Sequence, residues 1–379
     1  MDIANMADAV IDAINQNVRD LKKLNIAVVG KTGVGKSTLI NSVFREDLAA
    51  VGIGQPVTSK IRKYFKKDFP LTIYDTPGFE LGKDEQENVK NELLDIIKTG
   101  NMGKDVNEAI HCIWYCINTT TSRIEPEEIK WLRSFSSENR VTQVPIIVVL
   151  TQACPKQRGR DMKAAVEAEN LDVISVIPVL AQDMDFDGEY LVKAYGLDTL
   201  IDIMSKTLPT ELEKTLQNVQ KASIEAKKKY AQGIVATAVA AAMGEAAIPV
   251  PFADATMLVP TQISMIAGIT AVFGLDVNKS FITAVISATL GSSGATVLGR
   301  TVVSNILKLV PGVGSVAGGA ISAGTAAIIT TALGEAYIGL MMAMYKGEIS
   351  KDFITTSAGK KYISDMFAFN LKNAKKIKS

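Results

Sequence analysis

The chain has 379 residues, more than most single domains hold and enough for two. Its 41 Lys plus Arg balance 40 Asp plus Glu, so no global field points to nucleic acid or to an acidic substrate. Three cysteines without a C-x-x-C pair argue against a disulfide framework and for a reducing, cytoplasmic setting, and the single histidine excludes a His-rich zinc site. The hydrophobic fraction is 47%, and the excess is concentrated after residue 230.

Residues 1–21 predict an amphipathic helix, because Ile3, Ala7, Val10, Ile14, Val18 and Leu21 recur at helical spacing. Asp2, Asp8 and Asp12 interrupt what would be the apolar region of a signal peptide. The helix is expected to pack on the domain that follows, with a membrane or partner contact as the alternative. From Leu24 the pattern changes to short apolar runs separated by helical stretches. Segments 25–30, 71–75, 109–118, 144–151 and 173–180 read as strands, and 61–67 as a more exposed one. Alternation of strand and helix predicts a mostly parallel α/β sheet with helices on both faces, spanning residues 22–205. Residues 206–230 read as a connecting helix. Thr210-Glu-Leu-Glu213 fits a capping box there, and Leu212, Leu216 and Val219 form one apolar stripe. Residues 231–379 read as an all-α apolar domain with a basic tail. Its segments 255–275, 281–299 and 309–334 carry no charge, and each approaches the roughly 20 residues that span a bilayer.

Gly30-Lys-Thr-Gly-Val-Gly-Lys-Ser37 matches G-x-x-x-x-G-K-[ST] in full, between an apolar strand and a helical run. That context predicts a P-loop. The backbone amides of Lys31, Thr32, Gly33, Val34, Gly35, Lys36, Ser37 and Thr38 would face the phosphates at a helix N-terminus. Lys36 would reach the β- and γ-phosphates, and the Ser37 hydroxyl would ligate Mg²⁺. Asp75-Thr-Pro-Gly78 closes a second strand about forty residues on. Asp75 would hold the magnesium through water, and Gly78 would turn its N–H to the γ-phosphate. Between them, Thr58 in Gly54-Gln-Pro-Val-Thr58 is the candidate for a switch residue that ligates Mg²⁺ and senses the γ-phosphate. Lys36, Thr58 and Gly78 are therefore the candidate catalytic residues.

These motifs resemble the translation-factor-like G domains, above all the Era-like GTPases, over residues 22–205. The resemblance implies an α/β P-loop NTPase fold, GTP or GDP with Mg²⁺ as ligands, and a nucleotide-driven switch that hydrolyses GTP. The strand Ala109-Ile-His-Cys-Ile-Trp-Tyr-Cys-Ile-Asn118 is similar to the core strand of immunity-related and other membrane-acting GTPases. Two departures stand out. Phe79 follows Gly78, where Ras-like proteins carry a water-orienting Gln, so turnover is expected to be slow and to need a partner or self-association. The base-reading Asn/Thr-Lys-x-Asp is replaced by Thr151-Gln-Ala-Cys154. Thr151 and Gln152 match in part, and Cys154 cannot grip guanine by two hydrogen bonds. Ala181 and Gln182 stand where Ser-Ala-Lys is expected, near the base. Guanine is thus implied by resemblance, with adenine or relaxed specificity as the alternative.

His111, Cys112, Cys116 and Trp131 read as core residues, and Glu127 and Glu128 as the solvent face of a helix start. Residues 225–350 resemble a helical domain of unknown function found behind bacterial G domains and in YcjF-like membrane proteins. The apolar segments there read either as a compact bundle, with Gly312, Gly314, Gly318 and Gly319 allowing close contact, or as bilayer helices. Pro249, Pro251, Asp254, Pro260 and Gln262 are costly in the second case. The lysine-rich tail adds attraction to anionic lipid. Expected partners are nucleotide, membrane lipid through the C-terminal domain, and an activating protein or second copy; nucleic acid is not expected. A binding module with negligible hydrolysis and a G-domain-regulated membrane protein are the competing functions.

Overall fold

The structure is a computed structural model that describes residues 2–46, 53–56, 58, 61–76, 83–103, 105–121, 123–246, 258–290 and 323–376. It divides into two compact units, Leu21–Ala226 and Met1–Asp20 with Lys227–Ser379. Helix α1 (Ile3–Arg19) thus comes first in sequence but belongs to the second unit.

In the first unit, β1 (Leu24–Val29), β2 (Ile53–Pro56), β3 (Arg62–Phe65), β4 (Leu71–Asp75), β5 (Cys112–Asn118), β6 (Ile146–Thr151) and β7 (Ser175–Pro178) form one sheet in the order β2-β3-β4-β1-β5-β6-β7. The β4-β1-β5-β6-β7 portion is parallel, while β2 and β3 extend it antiparallel. Central strands are mostly apolar because helices cover both faces: every residue of β1 and β6 is buried. Residues of opposite parity feed two cores. Ile26 and Val28 pack with α2 (Lys36–Val43), while Ala27 and Val29 pack with α3 (Lys83–Met102), α4 (Pro126–Asn139) and α5 (Lys156–Ala168). Helices α6 (Leu197–Thr207) and α7 (Thr210–Val219) complete the first core. A small hairpin, β8 (Met184–Phe186) with β9 (Tyr190–Val192), stands apart from the main sheet.

The α/β architecture expected from the alternation is present. The expected connecting helix is not a connector. The Leu212, Leu216 and Val219 stripe of α7 is fully buried in the core beneath the sheet, so α7 belongs to the first unit. Its capping box does not form either: Thr210 is already helical, Pro209 holds the cap position, and no side chain caps the helix. His111 is structural, as read. Its Nδ1 accepts from the Asn25 N–H at 2.9 Å, its Nε2 lies 2.8 Å from the Val106 carbonyl, and burial lowers its pKa.

The second unit contains α8 (Ile224–Ala246) beyond its first turn, α9 (Leu258–Phe273), α10 (Lys279–Leu290), α11 (Ala323–Tyr345), α12 (Lys351–Thr355) and α13 (Ser357–Lys376). The expectation that α1 packs on the domain that follows it is corrected here. Its Ala7, Val10 and Ile14 are buried, it packs on α9 and α10, and Asp8 pairs with Lys279 at 2.6 Å. Periodicity gave the stripe but not the surface that covers it. Of the uncharged segments, α9 covers 258–273 of the first and α10 runs to Leu290 in the second, while residues 255–257 and 291–299 lie outside the described residues. Among the described residues α11, at 23, is the one helix long and apolar enough to cross a membrane, and 67% of its most apolar window is buried inside the unit. Glycine permits this packing: a Cβ on Gly334 would stand 2.5 Å from Val235 of α8. The run of glycines at 312–319, together with Pro249, Pro251 and Asp254, lies outside the described residues.

Candidate functional site: a phosphate-binding loop

β1 leads directly into the glycine-rich turn. Gly30 has φ 149°, and a Cβ there would lie 2.5 Å from the Cys116 carbonyl oxygen, so only glycine lets the loop cross β5 this closely. Gly33 and Gly35 have φ 76° and 96°, the left-handed turns that reverse the chain into α2. Gly35 is the cap of α2, with no side chain bonded to the first-turn amides. Those N–H groups and the helix dipole therefore remain for an anion. Thr32, Gly33, Ser37 and Thr38 are exposed on this side, while Val34 is buried and anchors the turn in the core. Lys36 Nζ donates to the carbonyls of Gly30 at 2.8 Å and Lys31 at 3.1 Å, so the loop backbone already holds its ammonium.

Asp75 ends β4, beside β1. Its Oδ1 is buried without a hydrogen-bond partner. Burial raises its pKa, opposed by the positive charges of Lys36 and of Arg62, its register partner on β3. An orphaned carboxylate oxygen and an exposed Ser37 hydroxyl fit a divalent cation that takes its remaining ligands from phosphate and water. No cluster of three or more acidic, His or Cys ligands occurs among the described residues. Thr58 is engaged elsewhere. Its hydroxyl donates to Glu92 of α3 at 2.5 Å and accepts the Ile61 N–H at 3.0 Å. Gly78 and Phe79 lie outside the described residues.

Thr151 and Gln152, expected near the base, are tied to the loop itself. The buried Thr151 hydroxyl donates to the Val34 carbonyl at 2.5 Å, and Gln152 Nε2 donates to the Gly33 carbonyl at 3.3 Å. Gln152 takes φ 54°, and the Thr119 hydroxyl holds its carbonyl at 2.9 Å. One residue on, the Ala153 N–H donates to the Val179 carbonyl at 3.1 Å, so segments 151–154 and 179–182 converge. Ala181 packs partly into the core and Gln182 is exposed. Cys154 is half-buried and brings no carboxylate. Cys112 and Cys116 are buried in one core, and desolvation lifts each thiol to about 12, so neither is a thiolate.

One feature of the loop went unread in the sequence. Lys31 bonds Glu125 at 2.8 Å and Glu128 at 3.4 Å. Glu128 was expected on the solvent face of its helix; it is buried, with Oε1 unpartnered, and desolvation raises its pKa against the pull of Lys31. A signal was available. Glu128 precedes Trp131, Leu132 and Phe135 by three, four and seven residues, which places it on their buried face.

Residues 25–152 match the family model described as 50S ribosome-binding GTPase. Septin-1 of Drosophila melanogaster is 26% identical over 191 residues, 44% of this chain and 52% of that one. The chain spans about half the length of the curated relatives it matches. Among solved structures, Cdc11 from Saccharomyces cerevisiae is similar at 24% identity and a TM-score of 0.26, covering 40% of this chain and 65% of that one. Toc33 from Arabidopsis thaliana, solved with Mg²⁺ and GMPPNP, is similar at 18% identity and a TM-score of 0.31, covering 55% and 95%. The phosphate loop and the sheet that carries it, with the family-model match over the same stretch, give residues 25–152 the α/β fold of a G domain.

Proposed function

We propose that this protein binds Mg²⁺–GTP, hydrolyses it slowly to GDP and phosphate, and uses the nucleotide state as a switch read by its helical unit. In this reading the G domain is of the Era-like kind, the helical unit is YcjF-like, and the protein is cytoplasmic and membrane-associated. The observation that carries the nucleotide reading is the loop geometry: Lys36 held at 2.8 Å on the Gly30 carbonyl, an uncapped helix N-terminus, and the orphaned Asp75 oxygen. The amides of residues 31–38 and Lys36 bind the phosphates. Ser37 and Asp75 hold the cation, which neutralises phosphate charge when bound. Thr58 joins them on leaving Glu92, and Gly78 senses the γ-phosphate.

Thr151 with Gln152, which brace the loop, and Ala181 with Gln182 form the base side of the site. Guanine recognition there relies on backbone and amide groups in place of a carboxylate. Turnover is slow because Phe79 cannot orient water, so an activating protein or a second copy supplies the missing group. Lys36→Ala tests the assignment. It is expected to weaken Mg²⁺–GTP binding at least a hundredfold and to abolish turnover. Unchanged affinity in a folded variant contradicts it.

A further inference from the structure

The face of α13 turned away from α10 and α11 presents two aromatic rings and a row of lysines. The helix is held by Ile363, Phe367, Leu371 and Ala374, all buried, and it packs on α11 and α10. On the opposite side Phe369 is 64% exposed, and Tyr362, set edge-on to Phe353 of α12, is 36% exposed. They are seven residues apart, two turns along one stripe. Lys361 and Lys372 flank that stripe and are exposed, as is Lys360. The helix carries five lysines against a single aspartate, Asp365.

We propose that this face of α13 docks on an anionic lipid bilayer, lying in the interface rather than crossing it. The proposal rests on the membrane-associated reading of the helical unit, but not on the nucleotide assignment. Tyr and Phe rings seat at headgroup depth, where one end is apolar and the other wet. Lysines beside them lay their stems along the surface and place ammonium groups among lipid phosphates. Charge complementarity selects an anionic bilayer over a neutral one. The rings select it over nucleic acid, whose backbone offers no apolar layer for a lone Phe to enter. α11 is not the membrane element, because its apolar surface is mostly consumed within the unit, against α9 and α13.

The test is co-sedimentation of the full-length protein with vesicles of phosphatidylcholine alone or mixed with phosphatidylserine. Binding is expected to the mixed vesicles only, and to be reversed by high salt or alkaline carbonate. Lys361→Glu with Lys372→Glu should lower the partition coefficient by at least twentyfold, at about fivefold per lysine. Phe369→Ser should lower it about tenfold, from loss of one large apolar side chain. All three positions are exposed, so the variants keep the wild-type circular dichroism and nucleotide affinity, which separates a lipid defect from a failed nucleotide reading. Absence of vesicle binding, equal binding to neutral vesicles, variants that bind like wild type, or capture by an RNA homopolymer in preference to vesicles would overturn the proposal. Resistance to carbonate would overturn it in favour of insertion through α11.

Discussion

Glu128 sits where its charge is hardest to keep. Burial raises its carboxyl pKa, and Lys31 recovers only part of the loss. A folded-state pKa above the unfolded one means the native protein binds more protons in that window. The group therefore contributes stability that is fully present below the ordinary carboxylate range and is lost as pH rises through the elevated value. Glu128→Gln is expected to raise the melting temperature of the nucleotide-free protein at neutral pH and to leave it unchanged in acid. A neutral-pH decrease would mean that the Lys31 pair outweighs the burial. Thr58 is the other residue whose present partner matters. Its hydroxyl is committed to Glu92, so the cation must compete for it. A hydrogen bond to a charged group is worth roughly 1.5–3 kcal/mol, so Glu92→Ala should tighten Mg²⁺-dependent GTP binding about tenfold, and Thr58→Ala should erase the gain. Titration calorimetry on the two variants checks this; weaker binding by the Glu92 variant contradicts it.

Elements whose signal is contiguous were legible, and those defined by a distant partner were not. The phosphate loop is eight consecutive residues between a strand and a helix, and it folds as the motif requires. The five parallel strands were legible as apolar runs because both of their faces are covered. β2 was missed because Ile53-Gly-Gln-Pro56 has no alternation, and the β8–β9 hairpin because acidic residues interrupt it. α7 was misplaced for another reason. Its stripe was visible, but the surface burying it comes from strands and a helix far back in the chain. Leu216 is fully buried in that core, so Leu216→Ala should cost about 2–5 kcal/mol in denaturant unfolding of the whole protein. A loss below about 0.5 kcal/mol would restore α7 as an exposed connector. Likewise Thr151 and Gln152 were legible as belonging to the site, but not their bonds to Val34 and Gly33, which depend on tertiary closure.

At the scale of the molecule, the chain combines a G domain with a helical unit whose first helix comes from the opposite end of the sequence. The phosphate loop was written in a local motif; the helical unit is written in how α1, α9, α10, α11 and α13 cover one another. The base side is where motif and residues part company, since Cys154 replaces the carboxylate that would select guanine. Guanine selection is therefore decided by calorimetric binding of non-hydrolysable GTP and ATP analogues, side by side with Mg²⁺. The GTP analogue is expected to bind at least tenfold tighter than the ATP analogue. Equal binding, or preference for the ATP analogue, would keep the phosphate loop but contradict the protein's assignment as a guanine-nucleotide switch.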